Sequence, residues 1–261
     1  MPTLRAILRL TRLDFSILSF LAIFLPLLVR TNDFDLSLGR AIPLLFICIC
    51  TFIANDLDDI EKDRVNHPER PLPAGHLTPV IAAILYFTSL GSALFSTKYY
   101  VTPGADFLYY ALISLSISYG YVVECLPGLK APYVAATCAV PILIVAASYP
   151  DEAGLYAVAV AVFLVFLGRE MCGDIEDRAG DAVSFMHRFS PTPLAVVAFS
   201  LQAVGLLLLA TQARRLGHVV DMLVMASLLA SSAVYWFKFA SYGRAMTLMK
   251  LQFVAGIYFL I

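Results

Sequence analysis

Charge is the scarcest commodity in this 261-residue sequence: Asp, Glu, Lys and Arg together make up 14% of it, against about 25% in a soluble domain. So few charges cannot cover the surface of a globule of this size, which excludes an ordinary water-soluble enzyme and a disordered chain. A basic excess is missing as well, 18 Lys and Arg standing against 19 Asp and Glu, and nucleic-acid binding goes with it. The five cysteines (Cys48, Cys50, Cys125, Cys138, Cys172) lack metal-ligand spacing and lie in or beside apolar runs. They read as small buried hydrophobes. No apolar run carries the paired histidines that haem ligation requires. What is abundant is hydrocarbon, 60% hydrophobic residues and a mean hydropathy of +0.82. The expected fold class is all-α, a polytopic membrane bundle.

A hydrocarbon core of about 30 Å takes roughly 20 helical residues to cross. On that scale the sequence offers nine runs: Leu13–Val29, Ala41–Ala54, Pro79–Ser96, Ala105–Val123, Tyr133–Ser148, Gly154–Gly168, Pro191–Gln212, Val219–Phe237 and Ala245–Ile261. The first follows Arg5, Arg9 and Arg12, but it is long for a signal peptide and no small-residue cleavage site follows it. It reads as a retained helix. With a cytoplasmic N-terminus, that side holds Arg5, Arg9, Arg12, Lys62, Arg64, Arg70, Lys130, Arg169, Arg178, Arg188, Lys238 and Arg244, against Arg30, Arg40, Lys98, Arg214 and Arg215 opposite. This asymmetry sets the expected orientation, and an odd number of spans places the C-terminus across the membrane.

The acids are concentrated in two places. Asp56, Asp58, Asp59, Glu61, Asp63 and Glu69 follow the second run, and Glu170, Asp174, Glu176, Asp177 and Asp181 follow the sixth, both on the expected cytoplasmic side. Each cluster contains D-x-x-D-x-x-x-D, as Asp56/Asp59/Asp63 and as Asp174/Asp177/Asp181, 118 residues apart. The repetition suggests one domain over residues 1–261 made of two related halves, about 1–123 and 124–261. Positions i, i+3 and i+7 share a helical face, so each cluster can present three carboxylates together. Like charges beside hydrocarbon are costly unless cations offset them. Oxygen donors suit Mg2+, which takes one or two carboxylates together with substrate phosphates, and metals so placed would neutralise a leaving pyrophosphate. A single acidic loop at a membrane edge is an ordinary place for charge; two with the same spacing on one side are not.

Cations stand near both clusters. Between Asp63 and Gly75 the chain reads D-R-V-N-H-P-E-R-P-L-P-A-G, and its prolines restrict themselves and the residues before them, so Arg70 is held on a defined backbone. Lys130 follows the fourth run and Arg169 opens the second acidic segment. Fixed donors of this kind suit phosphate oxygens.

Asn55-Asp56-x-x-Asp59-x-x-x-Asp63, followed by Asn66-x-Pro68-x-Arg70-Pro71-Leu72, resembles the first signature of the UbiA superfamily of intramembrane prenyltransferases. Asp174-x-x-Asp177-x-x-x-Asp181, introduced by Arg169-Glu170, resembles the second, and Leu129-Lys130 resembles the family's basic position between them. In wording the second motif is similar to archaeal-type geranylgeranylglyceryl-phosphate prenyltransferases. The resemblance spans the chain from the first run to the ninth. It implies about nine helices around a central cavity with a polar cap on the cytoplasmic side. It also implies Mg2+ bridging a prenyl diphosphate to the acidic motifs, and transfer of the prenyl group to a lipophilic or aromatic acceptor. Membrane lipids are then the surroundings, and no obligate protein partner is implied. On this reading Asp56, Asp59 and Asp63 form one metal-ligand set and Asp174, Asp177 and Asp181 the other. The catalytic set is Asp56, Asp59, Asp63, Asp177, Asp181, Lys130 and Arg70. The substrate-binding set is Asn55, Arg64, Asn66, Arg70, Lys130, Arg169 and Tyr119. Phe52, Tyr109, Tyr110, Tyr121 and Phe166 are further candidates for the wall around an allylic cation, and Glu124 and Glu170 for the base that removes a proton.

After Asp181 the sequence departs from the family pattern, reading A-V-S-F-M-H-R-F-S-P-T-P in place of a glycine and a basic-Thr-Leu-Pro stretch. That keeps a terpene cyclase open, in which the prenyl chain's own double bond captures the cation. A transporter also combines repeated halves with intramembrane acids, but its acids would sit near mid-membrane, whereas these lie at one edge.

Overall fold

The computed structural model describes residues 4–101, 106–149, 151, 153–177, 188–216, 219–238, 244–245 and 247–249. Its elements are helical: α1 (Leu4–Leu10), α2 (Leu13–Thr31), α3 (Phe34–Asp58), α4 (Ile60–Asn66), α5 (Pro79–Tyr100), α6 (Asp106–Cys125), α7 (Lys130–Ser148), α8 (Ala153–Glu176), α9 (Pro191–Leu216) and α10 (Val219–Phe237). Among the described residues seven helices (α2, α3 and α5 to α9) are long and apolar enough to cross a membrane, and a shorter apolar helix covers Val224–Phe237. Most of the ninth expected run, Ala245–Ile261, lies outside the described residues.

The helices gather into two compact units. In the first, α3 is central and packs against α2, α5 and α6; in the second, α8 lies against α7 and α9, and α10 lies against α9. Local chemistry sets the helix starts. Asp33 caps α3 by accepting from the Leu36 amide at 2.9 Å. Thr78 caps α5 with Pro79 in the first turn. At 1.5 Å per residue α3 and α8 are about 36–38 Å long, more than the hydrocarbon core, so their acidic C-terminal turns can stand beyond it.

Different contacts hold the two units. In the first, the Thr51 and Ser116 hydroxyls meet at 2.7 Å, linking α3 to α6, and the buried Tyr109 hydroxyl donates to the Arg40 carbonyl at 2.5 Å. In the second, α8 and α9 approach through glycines. A Cβ at Gly168 would strike the Ala198 carbonyl, and one at Gly205 would strike that of Ala161. Of the cysteines, Cys50 and Cys172 are buried as expected, while Cys125, the last residue of α6, is exposed.

Candidate active site

The first acidic motif straddles a helix break. Asp56 lies in the last turn of α3, Asp59 sits at the junction (φ −97°, ψ 11°), and Asp63 is in α4. The i to i+4 ladder nonetheless runs through: the Asp59 amide donates to Asn55, that of Asp63 to Asp59, and that of His67 to Asp63. The three acids therefore follow one another along a nearly continuous ladder. Asp56 and Asp63 are buried, at 3% and 4% exposure, and each is paired. Arg12 Nη2 lies 2.8 Å from Asp56 Oδ1, and Arg70 Nη1 lies 2.6 Å from Asp63 Oδ2 and 3.7 Å from Asp56 Oδ1. Asp59 pairs with Lys62 at 2.9 Å. Burial pushes the Asp63 carboxyl up from its ordinary value; Arg70 opposes the shift, and the neighbouring Asp56 and Asp59 add to it.

The proline-rich segment that carries Arg70 is pinned at both ends. Leu72 and Leu77 are buried in a cluster with Ala6 and Leu10 of α1, Ile53 of α3 and Ala82 of α5. Between them Gly75 turns the backbone at φ 70°, a conformation that favours glycine, and the Leu77 amide donates to the Pro71 carbonyl at 3.1 Å. The same cluster seats α1, a short helix absent from the sequence expectations. Arg12, at the junction of α1 and α2, adopts the left-handed conformation (φ 40°, ψ 53°), a strained state for a residue other than glycine that costs about 1–2 kcal/mol.

The remaining residues of the first set scatter. Asn55 and Asn66 are half-buried at the ends of α3 and α4. Arg64 is exposed and pairs with Glu61 at 2.9 Å. Tyr119 is half-buried on α6 beside Gly120, against which the Asp58 carboxylate lies closely enough that a Cβ there would displace it. Tyr109 is committed to the Arg40 backbone, far along α3 from Asp56, and Tyr121 is exposed.

The segment leading into the second motif stays helical for longer than its sequence suggests. Helix α8 continues past Gly168 to Glu176, since Arg169 and Glu170, which end the apolar run, pair with each other. Asp174 is buried, and Lys130, the first residue of α7, reaches it at 2.7 Å. Asp177 follows the helix end and is half-buried. Asp181 lies outside the described residues, as do residues 182–187 of the stretch that departs from the family pattern.

The donors suit Mg2+ in kind, being oxygens only. Among the described residues no three acidic, His or Cys side chains gather closely enough to cage an ion. Mg2+ takes one or two carboxylates and completes its shell with water and a substrate's phosphate. Sequence reasoning missed Arg12, which it read only as a topological anchor; the signal available was its place 44 residues before Asp56, the separation between Lys130 and Asp174.

Comparison with known proteins bears on the fold and the family. The profile of the UbiA prenyltransferase family matches residues 17–255. A digeranylgeranylglyceryl phosphate synthase of Pyrococcus furiosus is 37% identical over 131 residues, 49% of this chain and 46% of the relative. The chain thus spans about half the length of the curated relatives it matches. Two solved structures share the fold. One, the apo form of a UbiA homologue from Aeropyrum pernix K1, has a TM-score of 0.74 at 18% identity and covers 95% of this chain and 98% of its own. The other, a UbiA homologue from Archaeoglobus fulgidus bound to GPP and Mg2+, has a TM-score of 0.57 at 18% identity and covers 98% and 99%. With its apolar helices and a family match over most of its length, the chain is an integral membrane protein and belongs to the UbiA prenyltransferase family.

Proposed function

We propose that this chain is a Mg2+-dependent intramembrane prenyltransferase. It would ionise a prenyl diphosphate, pass the prenyl group to a lipophilic or aromatic acceptor and release pyrophosphate. The observation that carries this reading is the pairing of a buried aspartate with a basic side chain in each D-x-x-D-x-x-x-D motif, Asp56 with Arg12 and Arg70 in one and Asp174 with Lys130 in the other. Family membership and the GPP and Mg2+ held by the Archaeoglobus homologue support it. The basic asymmetry of the loops supports an active-site face and N-terminus on the cytoplasmic side, and the repeated motif supports two related halves within one domain.

Asp56, Asp59 and Asp63, with Asn55 alongside, would hold metal at one end, and Asp174, Asp177 and Asp181 at the other. Mg2+ bound there supplies Lewis-acid neutralisation of the departing diphosphate. Arg70 and Lys130, which here neutralise carboxylates, would turn to phosphate oxygens as the anion arrives, and Arg169 would add a further donor. When the C1–O bond breaks, the electron pair leaves with the pyrophosphate, and these fixed cations offset its growing charge. C1 then bonds to the acceptor's nucleophilic atom, and the proton displaced there passes to a base such as Glu170. The likeness to digeranylgeranylglyceryl phosphate synthases supports a glycerol-phosphate hydroxyl as that nucleophile.

The test is purified protein with Mg2+ and a panel of prenyl diphosphates, each with and without glycerol-phosphate and aromatic acceptors, followed by product mass. A prenylated acceptor with pyrophosphate supports the reading. A terpene hydrocarbon or alcohol formed at full rate without acceptor favours the cyclase that the sequence after Asp181 keeps open. Absence of pyrophosphate release from every diphosphate removes the enzyme reading altogether.

A further inference from the structure

The 118-residue offset between the acidic motifs extends to residues outside them. Arg12 and Lys130 are 118 residues apart, as are Asp56 and Asp174, and so are Arg70 and Arg188. For the first two pairs the geometry repeats with the numbering. Each basic residue stands at the start of a membrane helix, Arg12 directly before α2 and Lys130 as the first residue of α7. Each reaches one oxygen of an aspartate in the C-terminal turns of a long helix, at 2.8 Å and 2.7 Å. In each pair the aspartate is almost fully buried while the cation keeps a wet side, with side-chain exposures of 31% and 4% for Arg12 and Asp56 and of 22% and 3% for Lys130 and Asp174.

From this we infer that Arg12 is the first half's counterpart of Lys130, a cation that binds the diphosphate. The inference rests on the prenyl diphosphate reading above. Asp56 takes only Nη2, and among the described residues no other carboxylate engages the guanidinium. Nε and Nη1 remain for an incoming anion, and a guanidinium presents its donors in a planar fork that matches phosphate oxygens. Its orientation is fixed from three sides. The Phe52 ring lies under it, 4.9 Å from Cζ. Ala6 and Leu10 anchor α1 in the cluster that also pins the Arg70 segment. The left-handed backbone at Arg12 is the third restraint; the one other non-glycine residue with positive φ among those described is Asn32, a type that tolerates it. Strain kept at a position that aims a cation at a buried acid is what a substrate-binding role requires; a topological anchor needs only to reach the headgroups.

The test compares full-length wild type with R12Q, R12K, K130Q and R9Q by two readouts. One is steady-state pyrophosphate release from the prenyl diphosphate that wild type turns over fastest. The other is binding of inorganic pyrophosphate in the presence of Mg2+, measured by calorimetry without turnover. R12Q is expected to raise both KM and the pyrophosphate Kd by about 10- to 100-fold, the loss of one charged hydrogen bond, and K130Q to do the same. R12K, which keeps the charge and loses the fork, is expected to fall between wild type and R12Q in both readouts, and the exposed Arg9 is expected to be replaceable without effect. If R12Q binds pyrophosphate as wild type does, or loses only thermal stability or kcat, Arg12 merely neutralises Asp56 and the inference is overturned. Should R12Q fail to yield monodisperse protein, the exchange R12K/K130R decides alone: retained pyrophosphate binding supports the assignment and lost binding overturns it. An active wild type with an indifferent R12Q sinks this inference and leaves the function standing. A wild type that binds pyrophosphate through Arg12 but turns over no prenyl diphosphate does the reverse.

Discussion

The two halves of the chain carry the same acidic spacing and brace it differently. In the first, the motif crosses the α3–α4 break at Asp59, and the same stretch of sequence supplies its own cation, Arg70, through a loop stiffened by prolines and pinned by Leu72 and Leu77. In the second, Asp174 stands two residues before the end of α8, as Asp56 does before the end of α3, and its cation, Lys130, comes from the start of another helix. Their packing differs in the same sense. Hydroxyls and a tyrosine link α3 to α6, whereas bare glycines let α8 and α9 touch backbone to backbone. A common charge pattern can thus be mounted on a loop-braced scaffold or on a tight helix pair. What the two mounts share is a buried aspartate held by a cation at a helix start.

The strongest way to break that equivalence is to remove one acid from each end. Asp59→Ala and Asp177→Ala are each expected to lower pyrophosphate release by about 10^2- to 10^3-fold, the usual cost of one preorganised electrostatic partner. If one variant stays near wild-type rate, the two ends are not equivalent. The packing contrast is sharpened by glycine substitution. Gly168→Ala places a methyl group against the Ala198 carbonyl, an overpacking that is expected to cost about 2–4 kcal/mol and to lower the thermal midpoint in micelles. Gly91→Ala on α5 meets nothing within 4 Å; there the better helix former is expected to add about 0.5–1 kcal/mol. Opposite signs at the two sites support the distinction between the units, and equal losses would remove it.

Much of this was legible in the chain. Apolar runs located the spans because lipid forces the backbone to bond within its own helix. The spacing of the acids and the proline-bound Arg70 identified the first motif because everything it needs lies within about 20 residues. Elsewhere the chemistry hid the answer. The sixth run was read as ending at Gly168 because Arg169 and Glu170 look polar one at a time, although they neutralise each other inside α8. The apolar run Ala41–Ala54 is too short to span alone, and α3 extends it at both ends, from the Asp33 cap to Asp58. Tyr109 looked like a cavity wall by residue type alone, and packing against α3 gave it a structural bond. The pairs Arg12–Asp56 and Lys130–Asp174 join residues 44 apart, which no local pattern reveals. Only the 118-residue offset, carried from the acids to the cations, would have exposed the first of them.

We propose that both acidic motifs serve one diphosphate, and the double variant D59A/D177A tests this most directly through its rate of Mg2+-dependent pyrophosphate release. Groups that act as a unit are not additive, so the double variant is expected to be no slower than the slower single variant. A rate reduced by the product of the two single losses would mean two ends working independently, and would contradict the account.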